Sequence, residues 1–190
     1  MPRQAPAPPR TYCEFVQSQP EGSVHRHYHD HEYGFPLHSD NALFGRLLLE
    51  INQAGLSWAT ILKKKDNFFC AYAGFDIASI AAYEQADIDR LLSDTGIIRN
   101  RLKVQAAIFN ARQVLRLQQT HGSFGNWLLG HHPLKIQQWV KLFKKHFKFM
   151  GGEIVNEFLM STGFLPGAHH PACPVYPQIE QLNPPWRQLD

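Results

Sequence analysis

The chain lacks any apolar run approaching the roughly 20 residues needed to cross a bilayer, which excludes a helical membrane protein. Its first ten residues are proline-rich and lack the apolar core of a signal peptide, so residues 1–10 are expected to form a disordered leader. Only three cysteines are present, Cys13, Cys70 and Cys173, and they lie far apart. That excludes a disulfide framework and points to a reducing, cytoplasmic setting. No run reads convincingly as a strand, and internal repeats are also missing. The most informative deficit is electrostatic: between Asp94 and Glu153 there is no acidic residue, yet the same stretch carries ten lysines and arginines. With a net charge of only +3, the bias is local. Solvated faces usually mix both signs, so a face without carboxylates favours a polyanionic partner such as nucleic acid.

What is present is helical periodicity. Ser39 or Asp40 can cap a helix running toward Gly55, with Leu43, Phe44, Leu47, Leu48 and Ile51 on one face. A second helix starts near Ser57 and meets a polar break at 63–67. Short helices follow from Asp76 and from Asp87, then a long one over 101–118 and others over 123–129, 136–146 and 153–161. Prolines from Pro166 onward predict an irregular tail. The expected organisation is all-α: a leader over 1–10, a domain over 11–174 and a proline-rich tail over 175–190. At Leu91–Lys103 two amphipathic segments meet at a tight turn with Gly96, followed by Arg99 and Arg101. This resembles a helix-hairpin-helix, whose turn points backbone N–H groups at a phosphate, although Ile98 stands where the commoner form has a second glycine and the alternative is an ordinary helix connection.

Candidate metal ligands occur at both ends of the chain. Cys13 and His29 lie near the start, and His169 and Cys173 form an H-x3-C pair near the end. Two thiolates and two imidazoles make a closed tetrahedral zinc set, although pairs so widely separated match no compact finger, and His170 is a rival ligand. If the segment containing His25, His27, His29 and His31 is extended, these histidines share a face and form a second candidate, a catalytic metal site. Glu50 sits at the margin of an apolar helix face, where a carboxylate is either solvated or buried with a raised pKa. Trp58 follows soon after. An acid beside an indole suits recognition of a flat base, and Tyr28, Tyr33 and Phe15 can complete an aromatic pocket.

Several segments resemble, in the same order, those of the 3-methyladenine DNA glycosylase I family. They include Tyr28-His29-Asp30, Glu32-Tyr33-Gly34, Gln53-Ala54-Gly55-Leu56-Ser57-Trp58, Gly96-Ile97-Ile98-Arg99-Asn100-Arg101, Asn110-Ala111, Phe147-Lys148-Phe149 and the pair His169 and Cys173. The resemblance runs from about Tyr12 to Cys173. It implies a helix-hairpin-helix glycosylase fold in which Cys13, His29, His169 and Cys173 hold a structural zinc joining the two ends. It implies that Glu50 is the pocket carboxylate, with Trp58 and Tyr28 as stacking residues. Gln53, Gly55 and Leu56 would form the loop that wedges into DNA, and Gly96, Arg99 and Arg101 would contact phosphate.

The implied activity is hydrolysis of the N-glycosidic bond of 3-methyladenine in double-stranded DNA, by a monomer, through base flipping and without strand cleavage. No aspartate occurs between Asp94 and Asp190, so a mechanism driven by an aspartate beyond the hairpin is excluded. The pattern departs from the family at Glu14-Phe15, Tyr33, Ile51, Met150–Glu153 and Glu157–Met160, and is shorter around 131–136. These departures motivate two alternatives: a catalytically silent zinc-containing DNA-binding module of the same fold, and a metallohydrolase built on the histidine run.

Overall fold

In the computed structural model, which describes residues 11–188, the described residues form helices and no strands. The helices are α1 (Tyr12–Gln17), α2 (Val24–His31), α3 (Asp40–Gln53), α4 (Trp58–Lys63), α5 (Lys65–Ala71), α6 (Ile77–Ala81), α7 (Gln85–Ser93), α8 (Arg101–His121), α9 (Phe124–His131), α10 (Ile136–His146), α11 (Gly152–Ser161) and α12 (Tyr176–Gln181). The predicted leader lies outside the described residues.

Two helices organise the core. In α3 the apolar positions expected from the periodicity are buried, and so are Arg46 and Glu50. The helix is therefore enclosed nearly all round rather than half solvated, which is why it can carry a carboxylate into the interior. At its start, the Asp40 carboxylate accepts from the backbone N–H of Phe124 (2.7 Å) and of Gly125 (3.0 Å). One side chain thus satisfies orphan donors at the N-terminus of α9 and locks it to α3. Gly45 is required by packing: a Cβ there would lie 2.5 Å from the Phe75 ring. The second organiser is α8. Asn100 caps it by accepting from the Lys103 N–H, and its stripe of Val104, Ile108, Ala111 and Val114 is buried at helical spacing. It packs against α6, α7, α9 and α3.

The periodicity locates α3, α6, α8, α9, α10 and α11 closely. The polar break after α4 shrinks to Lys64, because α5 resumes at Lys65 and buries Phe68. Asp87 lies three residues inside the capping box that begins at Glu84 rather than at the cap itself. The C-terminal segment is not irregular throughout: Pro177 sits in the first turn of α12, where its missing N–H is harmless. Ile179 of that helix is buried together with Cys13 and Cys173.

Candidate functional site

The histidine run folds as helix α2, which overturns the extended reading. At 100° per residue its alternate side chains diverge. Only His29 joins a group of potential ligands among the described residues, while His25 receives the Tyr12 hydroxyl at 2.9 Å and His27 contacts His31. The shared face that a catalytic histidine cluster needs is therefore not formed.

His29 instead meets Cys13 of α1 and the pair His169 and Cys173. All four are buried, and their ligand atoms lie within 4.8 Å of one another. The contacts Cys13 Sγ to His169 Nδ1 (3.8 Å), His169 Nδ1 to Cys173 Sγ (3.4 Å) and Cys173 Sγ to His29 Nε2 (3.6 Å) describe the edges of a small tetrahedron. Zinc bonds of about 2.0–2.3 Å to nitrogen and sulfur require edges of about 3.6 Å, so the donor set fits a metal ion. The outer nitrogens are already engaged: His29 Nδ1 with the Asp30 carboxylate (2.6 Å) and His169 Nε2 with the Tyr33 carbonyl (2.7 Å). Each such bond leaves the inward nitrogen as the lone-pair donor. Burial pushes His169 down to about 4, keeping it in the neutral form that ligation needs. The rival, His170, is exposed and accepts from the Ala172 N–H.

Next to this group lies a cavity of about 450 Å³ lined by residues of five helices. Trp58 of α4, Tyr28 of α2 and Tyr33 provide aromatic surface, with Tyr28 and Trp58 in edge contact at 5.2 Å. Glu50 of α3 also lines it and is only 4% exposed. No side-chain hydrogen bond reaches its carboxylate among the described residues. Burial, opposed by Arg46 and reinforced by Glu157, pushes Glu50 up to about 8. Arg46 does not neutralise it by direct pairing, because its guanidinium donates to the Tyr28 hydroxyl (3.0 Å) and to Glu32 (3.2 Å).

The cavity differs from the expected one in two ways. Phe15 is not among the lining residues; it packs on Tyr12 and His25, and Tyr12 lines the cavity. Two further carboxylates, Glu153 and Glu157 of α11, also face it. Their signal in the sequence was their four-residue spacing on one predicted helix, but nothing local said that α11 packs against α3. Arg46, four residues before Glu50 on the same helix, carried a signal of the same kind.

Gln53 lines the cavity as well, and the backbone beyond it turns sharply at Gly55, whose φ of +81° suits glycine. Leu56 at the tip is 39% exposed. The base of this loop is fixed by Lys103 of α8, a buried lysine whose ammonium donates to the carbonyls of Asn52 and Ala54, both at 2.8 Å. Lys103 therefore cannot serve a polyanion, contrary to its place in the acid-free stretch. Arg112 is likewise committed, to the Ala81 and Tyr83 carbonyls. The turn between α7 and α8 is tied down by Lys64, which donates to the Thr95 and Gly96 carbonyls at 3.0 Å. Arg99 remains exposed there, and Arg101 sits 3.6 Å from Asp89 with both side chains largely in solvent.

Comparison with known proteins gives the family. The family model described as methyladenine glycosylase matches residues 18–141. The chain belongs to the methyladenine glycosylase family. It is 35% identical over 184 residues to DNA-3-methyladenine glycosylase 1 of Escherichia coli (strain K12), covering 87% of this chain and 96% of that protein. It is 31% identical over 183 residues to the DNA-3-methyladenine glycosylase of Haemophilus influenzae, covering 86% and 97%. Among solved structures, 3-methyladenine DNA glycosylase I from Staphylococcus aureus superposes with a TM-score of 0.76 at 34% identity, covering 86% of this chain and 95% of that one. A tyrosine-to-phenylalanine variant of 3-methyladenine DNA glycosylase I in complex with 3-methyladenine superposes with a TM-score of 0.75 at 33% identity, covering 86% and 96%. The all-helical fold of the family is the fold of this chain.

Proposed function

We propose that this methyladenine glycosylase removes alkylated bases from double-stranded DNA, 3-methyladenine foremost, by rotating the damaged nucleotide into the cavity and hydrolysing its N-glycosidic bond. The observation that carries the reading is Glu50: a buried carboxylate without a hydrogen-bond partner among the described residues, facing a cavity walled by Tyr28 and Trp58. A carboxylate desolvated by its surroundings yet open to a cavity is placed to meet a ligand there.

A base alkylated at a ring nitrogen is cationic in DNA. It attracts the faces of Tyr28 and Trp58 and the negative charge of Glu50. Before a base enters, at neutral pH, Glu50 holds a proton; an entering cation favours its loss. The C1′–N bond then breaks with its electron pair moving to the base, which leaves neutral and needs no protonation. Water adds hydroxide to C1′ and releases its proton to solvent. Glu50 stabilises positive charge on the base edge and the developing charge on the sugar. The product is an abasic site with the strand intact, since no lysine among the described residues lines the cavity to form a covalent adduct.

The loop at 53–57, with Leu56 at its tip, fills the gap left by the flipped nucleotide. The α7–α8 unit acts as a helix-hairpin-helix, with Arg99 and Arg101 beside phosphate near the N-terminus of α8. Zinc held by Cys13, His29, His169 and Cys173 serves structure, because four protein ligands leave no open position. An open cavity with its carboxylate in place favours an enzyme over a silent DNA-binding module. Incubation with methylated duplex, followed by chromatography of released bases and a gel before and after alkali, tests the proposal. Release of 3-methyladenine with nicks appearing only after alkali is expected; no release from any alkylated duplex would refute it.

A further inference from the structure

Glu157 faces the same cavity as Glu50 from the opposite partner of the α3–α11 contact, and nothing in the reaction above uses it. Its Oε2 accepts from the Tyr33 hydroxyl at 3.1 Å, which fixes the carboxylate's orientation. Among the described residues its other oxygen has no protein partner. Glu153, one turn earlier on α11, adds a third carboxylate at the exposed side of the cavity. The cation nearest Glu50, Arg46, is bound to Tyr28 and Glu32, so the carboxylates are not neutralised from within.

We infer that Glu157 is a second base-facing carboxylate and a specificity determinant: with Glu50 it makes the cavity select purines bearing a formal positive charge over neutral purines of the same shape. This rests on the glycosylase reading and assigns to Glu157 a share of the discrimination against neutral purines. The physical reason is a difference of affinities. Two carboxylates sharing one desolvated cavity oppose each other's ionisation. Glu50 is therefore protonated at neutral pH; a neutral base leaves it so, whereas a cationic base offsets the repulsion that its ionisation meets. Aromatic walls act in the same direction, since a ring face stacks on any purine but adds an electrostatic attraction for a cation. Burial raises Glu157 above the usual carboxylate range, as it does Glu50, and the Tyr33 hydrogen bond opposes the rise.

The test separates charge selection from excision. The full-length protein is titrated with 3,9-dimethyladeninium, permanently charged with a methyl group in place of the sugar, and with neutral 9-methyladenine, using tryptophan fluorescence. Wild type is expected to prefer the cation by at least about tenfold, the scale of one charged hydrogen bond. Glu157→Gln should lose most of that preference while binding 9-methyladenine as before. Tyr33→Phe, which keeps the ring but frees Glu157, should show an intermediate loss and stands in if the first variant is unstable. Unchanged preference in Glu157→Gln overturns the inference, as does equal weakening toward both ligands, which a merely structural role would give. Release of 3-methyladenine from methylated duplex by wild type is measured in parallel. Failure of that assay refutes the glycosylase reading, whereas the ligand titration judges Glu157 independently.

Discussion

Two neighbouring clusters bury polar groups in opposite ways. In the Cys13, His29, His169 and Cys173 group, each imidazole has its outer nitrogen engaged, and the four remaining donor atoms point at one another. In the adjoining cavity, Glu50 has no hydrogen bond among the described residues and Glu157 has one. The first arrangement is complete once a metal ion is added; the second is complete only with a ligand that comes and goes. A closed donor set marks structure, and an open one marks function. Tyr33 joins the two, offering its carbonyl to His169 and its hydroxyl to Glu157.

The largest effect should come from breaking the closed cluster. Cys173→Ser removes one thiolate and leaves three ligands around a buried centre. Structural zinc contributes about 10–16 kcal/mol of apparent binding energy in small peptides. Even a third of that, at roughly 2–4 °C per kcal/mol for a chain of this size, should lower Tm by about 10 °C. Metal analysis should show the wild type holding one zinc per chain and the variant none. A variant that melts like wild type while losing metal would mean that the ends are joined by packing alone.

In the open cluster, the same kind of change should spare the fold. Glu50→Gln keeps shape but cannot ionise, so excision of 3-methyladenine should fall by about a hundredfold in single-turnover assays. Stability should respond in the other direction. Burial raises Glu50 from an unfolded value near 4.5 to about 8, so the folded state holds the proton more tightly. Its contribution is fully present below pH 4.5 and is lost as pH rises through 8. Above pH 8 the glutamine variant should therefore melt higher than wild type. Equal melting temperatures at about pH 9 would show that the pocket solvates the carboxylate well.

A smaller shift should appear in the pH profile. For a cationic substrate kcat/KM should rise with pH and level off near 8, as Glu50 ionises in the free enzyme. The groups around it are Arg46 on its own helix, Tyr28 from α2, Tyr12 and Tyr33, and Glu153 and Glu157 from α11. Of these, Glu157 raises it, so Glu157→Gln should move the limb to lower pH. A limb that stays in place would separate the two carboxylates electrostatically.

How much of this was legible follows from what sequence patterns encode. Helical spacing records burial along one element, so α3, α8 and α10 could be placed within a few residues. Glu50 and Trp58 stood out because each breaks or ends such a pattern. The neighbours of Glu50 around the cavity are set by helix packing, which no local pattern carries: Glu157 arrives from α11 and Tyr12 from α1. The histidine run shows the same limit. Alternation of His25, His27, His29 and His31 has the period of a strand, yet Ser23 caps a helix by accepting from the Arg26 N–H, and tertiary contacts with α1 and α4 settle the matter. Lys103 and Arg112 lay in an acid-free stretch for a structural reason, as donors to carbonyls at the ends of α3 and α6.

That last point sharpens the smallest prediction, which concerns DNA contacts outside both clusters. With Lys103 and Arg112 committed, the phosphate contacts near the α7–α8 turn fall to Arg99 and Arg101. Each phosphate neutralised releases counterion, so log affinity falls with log salt at a slope of roughly −0.9 per contact. Arg99→Ala should reduce the slope by about one unit, and should weaken binding alike for every DNA sequence, because phosphates carry no base identity. Arg101→Ala should do less, since Asp89 already competes for that guanidinium at 3.6 Å. Asp89→Ala should then strengthen binding slightly by freeing it. Trp58→Ala makes the contrast with the open cluster: the slope is kept, and binding weakens only for duplexes whose damaged base can enter the cavity. If neither arginine changes the slope, phosphate is held elsewhere on the acid-free stretch, and the exposed lysines of α10 become the positions to test.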